Sequence, residues 1–276
     1  MSLTYQNKTY WNDLVGNEMS LREVGWPEWT EAYNYYRYKL TSHLTEKAFD
    51  KYIQAPKRIL EIGCGVGFWS NLITKKYPDA QYTGVDISAS TIQKLKQKFT
   101  SPNIQFINTD FGVDFKNLPP EVTSQKYDLI VCFEVLLHIV DDTAWQHAVS
   151  NFNNLLSENG VAIISEPFFM FDKPPVYKDT MNCKVRRFED YKDIIESNKK
   201  SILEIQARTF LLDNNFDFKH KLSRKAWNFF RIFYFKLLMI KNETLGKLLG
   251  KIAYAFDLFF VKKSKYGNTC RLLVIK

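Results

Sequence analysis

Cysteine is scarce in this chain of 276 residues: four stand apart, at Cys64, Cys132, Cys183 and Cys270. None pairs closely enough to suggest a disulfide framework or a zinc site, so the chain reads as one for a reducing compartment with no metal centre. The N-terminal residues include Asn, Lys, Trp and Asp where an export signal would need an apolar core, so a cytoplasmic protein is expected. The apolar stretch Ala226 to Ile240 covers only 15 residues and contains Arg231 and Lys236, against a need for roughly 20 apolar residues to span a membrane. Repeats and low-complexity linkers are absent as well.

With 45% hydrophobic composition the chain can bury a full core, and its length allows one or two domains. The net charge of +8 is unevenly placed. Lys219 to Lys265 holds twelve Lys or Arg against Glu243 and Asp257, which leaves 26 basic and 28 acidic residues elsewhere. The basic excess is therefore a property of one late segment.

Ile59-Leu60-Glu61-Ile62 reads as a buried strand, and Gly63-Cys64-Gly65-Val66-Gly67 follows it directly into the helical pattern of Phe68 to about Tyr77. A strand, a glycine turn and a helix N-terminus aim backbone N–H groups and a positive dipole end at an open space. A second strand at Gln81 to Ile87 ends in Asp86, and Ser88 can cap the helix Ala89 to Phe99. Ile104 to Ile107 closes with Asn108-Thr109-Asp110-Phe111, and Tyr127 to Phe133, apolar apart from Asp128, is a fourth strand. Asp141-Asp142 opens a helix reaching Leu156 and ended by Asn159-Gly160. Val161 to Ser165 is a fifth strand stopped by Pro167. Phe188 to Ser197 looks helical, Ile202 to Leu212 can be a sixth strand and Cys270 to Ile275 a last one. Alternation of this kind implies an α/β fold, a parallel sheet covered on both faces, with one late strand antiparallel.

Ligands of such sheets sit at the carboxyl ends of the strands. There Asp86, about 20 residues past the glycines, can accept from both hydroxyls of a ribose. Asp110 could meet an adenine amino group, and Glu61 an ammonium, directly or through water. The spacing Gly-x-Gly-x-Gly differs from the Gly-x-Gly-x-x-Gly that holds a pyrophosphate. An adenosyl ligand carrying a charged amino acid and no phosphate suits the set better than a dinucleotide.

These motifs resemble the class I S-adenosylmethionine-dependent methyltransferases, through Leu60 to Gly67, Gly84 to Ser88, Asn108 to Phe111, Tyr127 to Val131, Glu134 to Ile139, and Gly160 with its strand. The resemblance covers roughly residues 57–167. It implies a Rossmann-like sheet of seven strands in the order 3-2-1-4-5-7-6, the seventh antiparallel. It implies S-adenosylmethionine as cofactor, with Glu61, Gly63, Gly65 and Gly67 at the methionine portion beside Phe133 and Glu134. Asp86 would hold the ribose, and Asp110 with Phe111 the adenine. Cys64, Phe68, Trp69 and Ile87 border the same turn and strand end and join the cofactor-binding set; packing is the alternative for Cys64, Phe68 and Trp69.

Methyl transfer from a sulfonium needs an in-line nucleophile about 3–3.5 Å from the methyl carbon. A hydroxyl acceptor gains from a base of near-neutral pKa. His138, just past the fourth strand, is the candidate base, with helix capping as its alternative. Glu166, at the end of the fifth strand, is the second catalytic candidate. Arg186-Arg187 could pair with an anionic group beneath a closing loop, or belong to a solvated turn. No stretch like Asn-Pro-Pro-Tyr follows the fourth strand, which by resemblance counts against methylation of base amino groups in nucleic acid. The core also lacks a broad basic groove for a duplex.

Residues 4–56 are rich in Tyr and Trp. Trp29 to Leu44 has helical spacing, for a helix on the sheet edge or for a lid whose rings line a substrate pocket. Residues 222–263 pair apolar and basic faces in two helices, the second from Leu245 to Val261, with Asn242 to Gly246 as the turn. Such a pair can pack on its own domain, form a homodimer contact or lie in a membrane interface; nucleic-acid binding is the weakest option. The expectation is one domain over residues 1–276: an aromatic cap (1–56), a cofactor-binding core (57–218), a helical insertion (219–265) and a last strand (266–276). The layout is loosely similar to methyltransferases of bacterial polysaccharide pathways. A cytoplasmic O-methyltransferase of a sugar, glycan or other small molecule, peripheral at the membrane if the insertion binds lipid, is therefore the favoured reading. The alternatives are N- or C-methylation of a small metabolite, or a membrane-associated scaffold that binds the cofactor without catalysis.

Overall fold

The computed structural model describes residues 7–14, 19–171, 179–212, 229–230, 233–261 and 270–276. Three helices come first: α1 (Asn7–Leu14), α2 (Leu21–Val24) and α3 (Glu31–Tyr52), the last capped by Thr30, whose side chain accepts from the Tyr33 N–H. An alternating core follows: β1 (Arg58–Ile62), α4 (Phe68–Lys76), β2 (Gln81–Asp86), α5 (Ala89–Lys98), β3 (Ile104–Asn108), α6 (Pro120–Thr123), β4 (Tyr127–Phe133), α7 (Asp142–Leu155) and β5 (Leu156–Phe169). The chain ends through β6 (Arg186–Arg187), α8 (Phe188–Ser197), β7 (Ile202–Ala207), α9 (Glu243–Val261) and β8 (Cys270–Ile275).

The main sheet runs β3-β2-β1-β4-β5-β8-β7, the order the resemblance implies once the short β6 is set aside, with β8 antiparallel to both its neighbours. Alternate residues of each central strand serve opposite faces, as the period of two requires. Leu60, Ile62, Cys132, Leu273 and Ile275 pack toward α7 and α8, through Trp145, Phe152, Tyr191 and Ile195. Ile59, Leu129, Val131, Phe133 and Val274 pack toward the other side, against Phe49 of α3, Ile73 of α4 and Leu95 of α5. Burial on both faces explains why these strands read as continuous apolar runs.

Three boundaries differ from the sequence reading. The helix before β5 stops at Leu155 and the strand passes through Pro167 to Phe169. Pro167 is tolerated because it faces Cys270, the first residue of β8, and β5 then pairs with β6 instead. The sixth strand ends at Ala207, because the N–H groups of Leu211 and Leu212 turn to the carboxylate of Asp257 at 2.7 and 3.0 Å. Gly246, expected in a turn, lies inside α9: a Cβ there would fall 1.9 Å from Thr30 Oγ1, so glycine lets α9 approach α3 closely.

Through this contact α3 and α9 bury Trp29, Tyr33, Tyr36, Leu40 and Ala253 in a cluster of their own. The late segment therefore does pack on its own domain along one side. Of the expected pair over residues 222–263, residues 222–228, 231–232 and 262–263 lie outside the described residues.

Candidate functional site

The carboxyl ends of β1, β2, β3 and β4 meet around a cavity with about 880 Å³ of empty space, counting its open mouth. That is within the range of small-molecule sites. Its floor is the turn after β1. Gly63, Gly65 and Gly67 all take positive φ, at +71°, +47° and +77°, a region that glycine enters without strain. Gly63 and Gly65 line the cavity, whereas Gly67 faces away: a Cβ on it would meet Leu95 Cδ2 at 2.6 Å. Gly67 is thus a packing glycine that lets α4 begin tight against α5.

Asp86 lies at the end of β2. Its Oδ2 accepts the Gly65 N–H at 2.9 Å and its Oδ1 the Ser88 N–H at 2.9 Å, so it ties the glycine turn to the start of α5. Burial pushes its pKa upward, while these N–H donors pull it back. Asp110 holds the turn after β3 by accepting the Gly112 N–H at 2.8 Å. Ile87, Thr109 and Phe111 complete this end of the cavity.

The opposite end is built by the exit from β4. Glu134 adopts a left-handed conformation, φ +58°, which is uncommon for a residue with a Cβ and collects at functional sites. Its N–H donates to Ser165 O at 2.8 Å, and its Oε1 accepts from both Arg37 and Arg208. Burial opposes the charge on Glu134, but the two guanidiniums outweigh it and hold its carboxyl well below the usual carboxylate range. A smaller void of about 210 Å³ opens beside this cluster, between Arg37, Thr41, Trp69 and Arg208.

His138 lies in a single 3₁₀ turn (Leu136–His138) and lines the same cavity. Its Nδ1 is 2.8 Å from Asn182 O, so a proton on Nδ1 donates to that carbonyl and leaves Nε2 as the basic nitrogen. Trp11 of α1 packs on the imidazole, ring centroids 4.7 Å apart. Burial pushes the His138 pKa below its ordinary value, although the Asn182 carbonyl works against this. The neutral ring is therefore the form present at pH 7.

Of the residues singled out from sequence, Gly63, Cys64, Gly65, Phe68, Trp69, Asp86, Ile87, Asp110, Phe111, Phe133, Glu134 and His138 meet around this one cavity. Glu61 and Glu166 do not join them. Glu61 is buried behind the turn, where Tyr82 donates to its Oε2, and burial pushes its pKa up to about 8. Its Oε1 has no hydrogen-bond partner, which fits a carboxyl kept protonated better than one reaching a ligand. Glu166, given above as a catalytic candidate, accepts the N–H groups of Val135, Leu136 and Leu137 at 2.6, 2.8 and 3.3 Å. It is spent on fixing the turn that presents His138. Arg186 is committed too: it donates to Ile139 O and Asp142 and stacks 4.4 Å over Trp145, while Arg187 pairs with Asp190.

The sequence reading did not assign Arg37, Val24 or Arg208 to the site. A signal for Arg37 exists: it falls on the buried stripe of Tyr33, Leu40 and Leu44, where a cation requires a carboxylate partner. Tyr38 lines the cavity from α3, so the aromatic cap both packs on the sheet and contributes to the pocket.

Comparison with known proteins places this geometry in context. The methyltransferase domain family matches residues 33–209. The malonyl-[acyl-carrier protein] O-methyltransferase of Halalkalibacterium halodurans is 30% identical over 129 residues, 46% of this chain and 45% of that protein. The chain spans less than half the length of the curated relatives it matches. Among solved structures, the N-methyltransferase NodS of Bradyrhizobium japonicum WM9, in complex with S-adenosyl-L-homocysteine, aligns with a TM-score of 0.52 at 19% identity, covering 73% of this chain and 89% of that one. The O-methyltransferase of a trans-AT polyketide synthase from Brevibacillus brevis, bound to the same molecule, aligns at 0.50 with 18% identity, covering 80% and 66%. At these identities the solved structures establish the fold.

Proposed function

The chain belongs to the class I S-adenosylmethionine-dependent methyltransferases, and from that premise we propose that it O-methylates a small-molecule hydroxyl, a sugar or glycan among the candidates, with His138 as general base. The cradle suits the cofactor: two carboxylates at adjacent strand ends, a glycine turn with room above it, and an apolar wall of Phe68, Trp69 and Phe133. Bound there, S-adenosylmethionine would supply an electrophilic methyl group on a sulfonium. Asp86 and Asp110 would take the ribose and adenine ends. Phe133 and Glu134 would border the methionine end, so the acceptor would enter near His138.

The observation that carries the hydroxyl reading is the contact of His138 Nδ1 with Asn182 O at 2.8 Å, in the wall of the cavity. It fixes the tautomer whose Nε2 can take a proton, and burial keeps that nitrogen unprotonated at neutral pH. A hydroxyl must lose its proton as it attacks, whereas a carboxylate acceptor arrives deprotonated. The second reading, a carboxyl acceptor on an acyl carrier protein, is favoured by the similarity to the malonyl-[acyl-carrier protein] O-methyltransferase of Halalkalibacterium halodurans, and it gives His138 no proton to remove.

Calorimetry with S-adenosylmethionine and S-adenosylhomocysteine tests the premise, and absence of binding to both would sink it. Labelled methyl transfer to a panel of sugars, phenols and carboxylates then separates the two acceptors. Methylation of carboxylates alone, unaffected by His138→Ala, would decide against the hydroxyl reading.

A further inference from the structure

The cavity makes no use of α9. One side of this helix buries Gly246, Gly250, Ala253, Asp257 and Val261 against α3 and the strand end near Leu211. The opposite side is apolar as well, and exposed. Leu248, Ile252, Phe256, Phe259 and Phe260 are between 40% and 56% exposed and fall within one continuous stripe at 100° per residue. The preceding helical residues 233–238 repeat the pattern: Leu238 is buried in the cluster with α3, while Phe233 and Leu237 are 60% and 46% exposed. Such a run exceeds the scattered apolar residues normal on a surface.

Among the described residues of this segment, the charges not held by another part of the fold are all positive. Lys236, Lys241, Lys247 and Lys251 are exposed, and Lys39 of α3 lies beside them, 5.3 Å from the Tyr254 ring. Both acidic residues of the segment are already engaged. Glu243 accepts the N–H groups of Glu31 and Ala32 at 3.1 and 3.0 Å, so its charge faces the positive end of α3. Asp257 is fully buried, on the N–H groups of Leu211 and Leu212. What remains outside is an apolar band flanked by lysines.

We propose that the outer face of α9 and of residues 233–240 docks on an anionic lipid surface, with the phenylalanine and leucine side chains at the acyl boundary and the lysines at the headgroups. Among the described residues no helix is long and apolar enough to cross a membrane, so the segment lies in the interface plane. Lysine stems extend along the band while their ammonium groups reach outward. The lipid surface is favoured over a second copy of this chain, because two copies face to face would set lysine against lysine. It does not depend on which acceptor the cavity takes.

The test is co-sedimentation of the whole protein with vesicles of phosphatidylglycerol and phosphatidylcholine, against phosphatidylcholine alone. Pelleting is expected with the anionic vesicles at low salt. Replacing Lys236, Lys247 and Lys251 by Gln should lower the partition on the order of a hundredfold, at roughly fivefold per lysine. Leu248→Gln with Phe256→Gln should also abolish it, with the circular dichroism spectrum and cofactor affinity unchanged, since neither residue touches the cavity. A protein that stays in the supernatant with both vesicle types overturns the proposal. So does a concentration-dependent dimer that the Leu248→Gln, Phe256→Gln variant dissociates while vesicle binding is absent, or capture by an acidic protein without vesicle binding.

Discussion

Asp86 accepts the N–H of Gly65 at 2.9 Å, and this bond makes the carboxylate at the end of β2 and the glycine turn after β1 parts of one device. Asp86 ties down the turn whose backbone faces the cavity, and in the proposed function the same carboxylate takes the ribose. Asp86→Ala removes both roles. Losing a hydrogen bond to a charged group costs about 1.5–3 kcal/mol, so with two ribose hydroxyls unpaired the affinity for S-adenosylmethionine should fall roughly 10²- to 10⁴-fold. Calorimetry checks this, and an unchanged affinity would mean that the ribose is held elsewhere.

Gly63 couples the same turn to the exit from β4. A Cβ added at Gly63 would lie 2.2 Å from Val135 Cγ2, at a φ of +71°. Gly63→Ala should therefore cost both steric strain and backbone strain, about 1–3 kcal/mol for each source. Val135→Ala in the same chain relieves the steric part alone. Thermal unfolding of the single and double variants should show partial rescue; full rescue would remove the backbone argument.

Glu134 sits where two buried guanidiniums converge, Arg37 from α3 and Arg208 after β7. Glu134→Gln keeps the shape but leaves two cations without their carboxylate. Breaking such a buried pair typically costs 3–5 kcal/mol. Denaturant unfolding should show a loss of that order together with weakened cofactor binding, because the Phe133-Glu134 bend borders the cavity.

The sheet and the floor of the site were readable because both rest on local patterns. Short apolar runs such as Leu129–Phe133, bounded by polar residues, read as strands buried on two faces, and the glycine turn carries its own backbone signature. Glu61 and Glu166 misled because a carboxylate at a strand end looks the same whether it points into a pocket or behind one. Direction depends on partners distant in sequence: Tyr82 for Glu61, and the N–H groups of residues 135–137 for Glu166. The stripe of α3 shows that Arg37 needs a carboxylate but not which one, and nothing local marks Arg208. Their partner, Glu134, is 97 and 74 residues away.

Glu61 should leave a mark on the pH dependence of stability. Burial pushes its pKa to about 8 in the fold, against an ordinary value near 4.3. Between those limits the folded protein keeps a proton that the unfolded chain releases, so stability falls as pH rises from about 4.3 to 8. Glu166, pushed to about 8 by burial, adds to the same slope. Glu61→Gln carries no titrating proton and keeps a carbonyl for Tyr82. Melting temperatures at pH 6 and pH 8.5 should differ less in this variant than in the wild type. An equal difference would show that Glu61 is charged in the fold.

His138 gives the sharpest test of the chemistry, because its predicted effect separates from binding. If Nε2 accepts the acceptor's proton, His138→Ala should lower kcat by roughly 10²- to 10⁴-fold while the affinity for S-adenosylhomocysteine holds, since Asp86 and the glycine turn are untouched. The pH profile gives the sign. Burial lowers the pKa of His138 below its ordinary value, so the ring is already neutral at pH 7. Activity should be flat above neutrality and fall only in acid, below about 6.5. The acid limb should disappear in His138→Ala. A variant that loses activity but keeps the acid limb would assign the limb to another group and leave His138 the role of positioning the turn that Glu166 anchors.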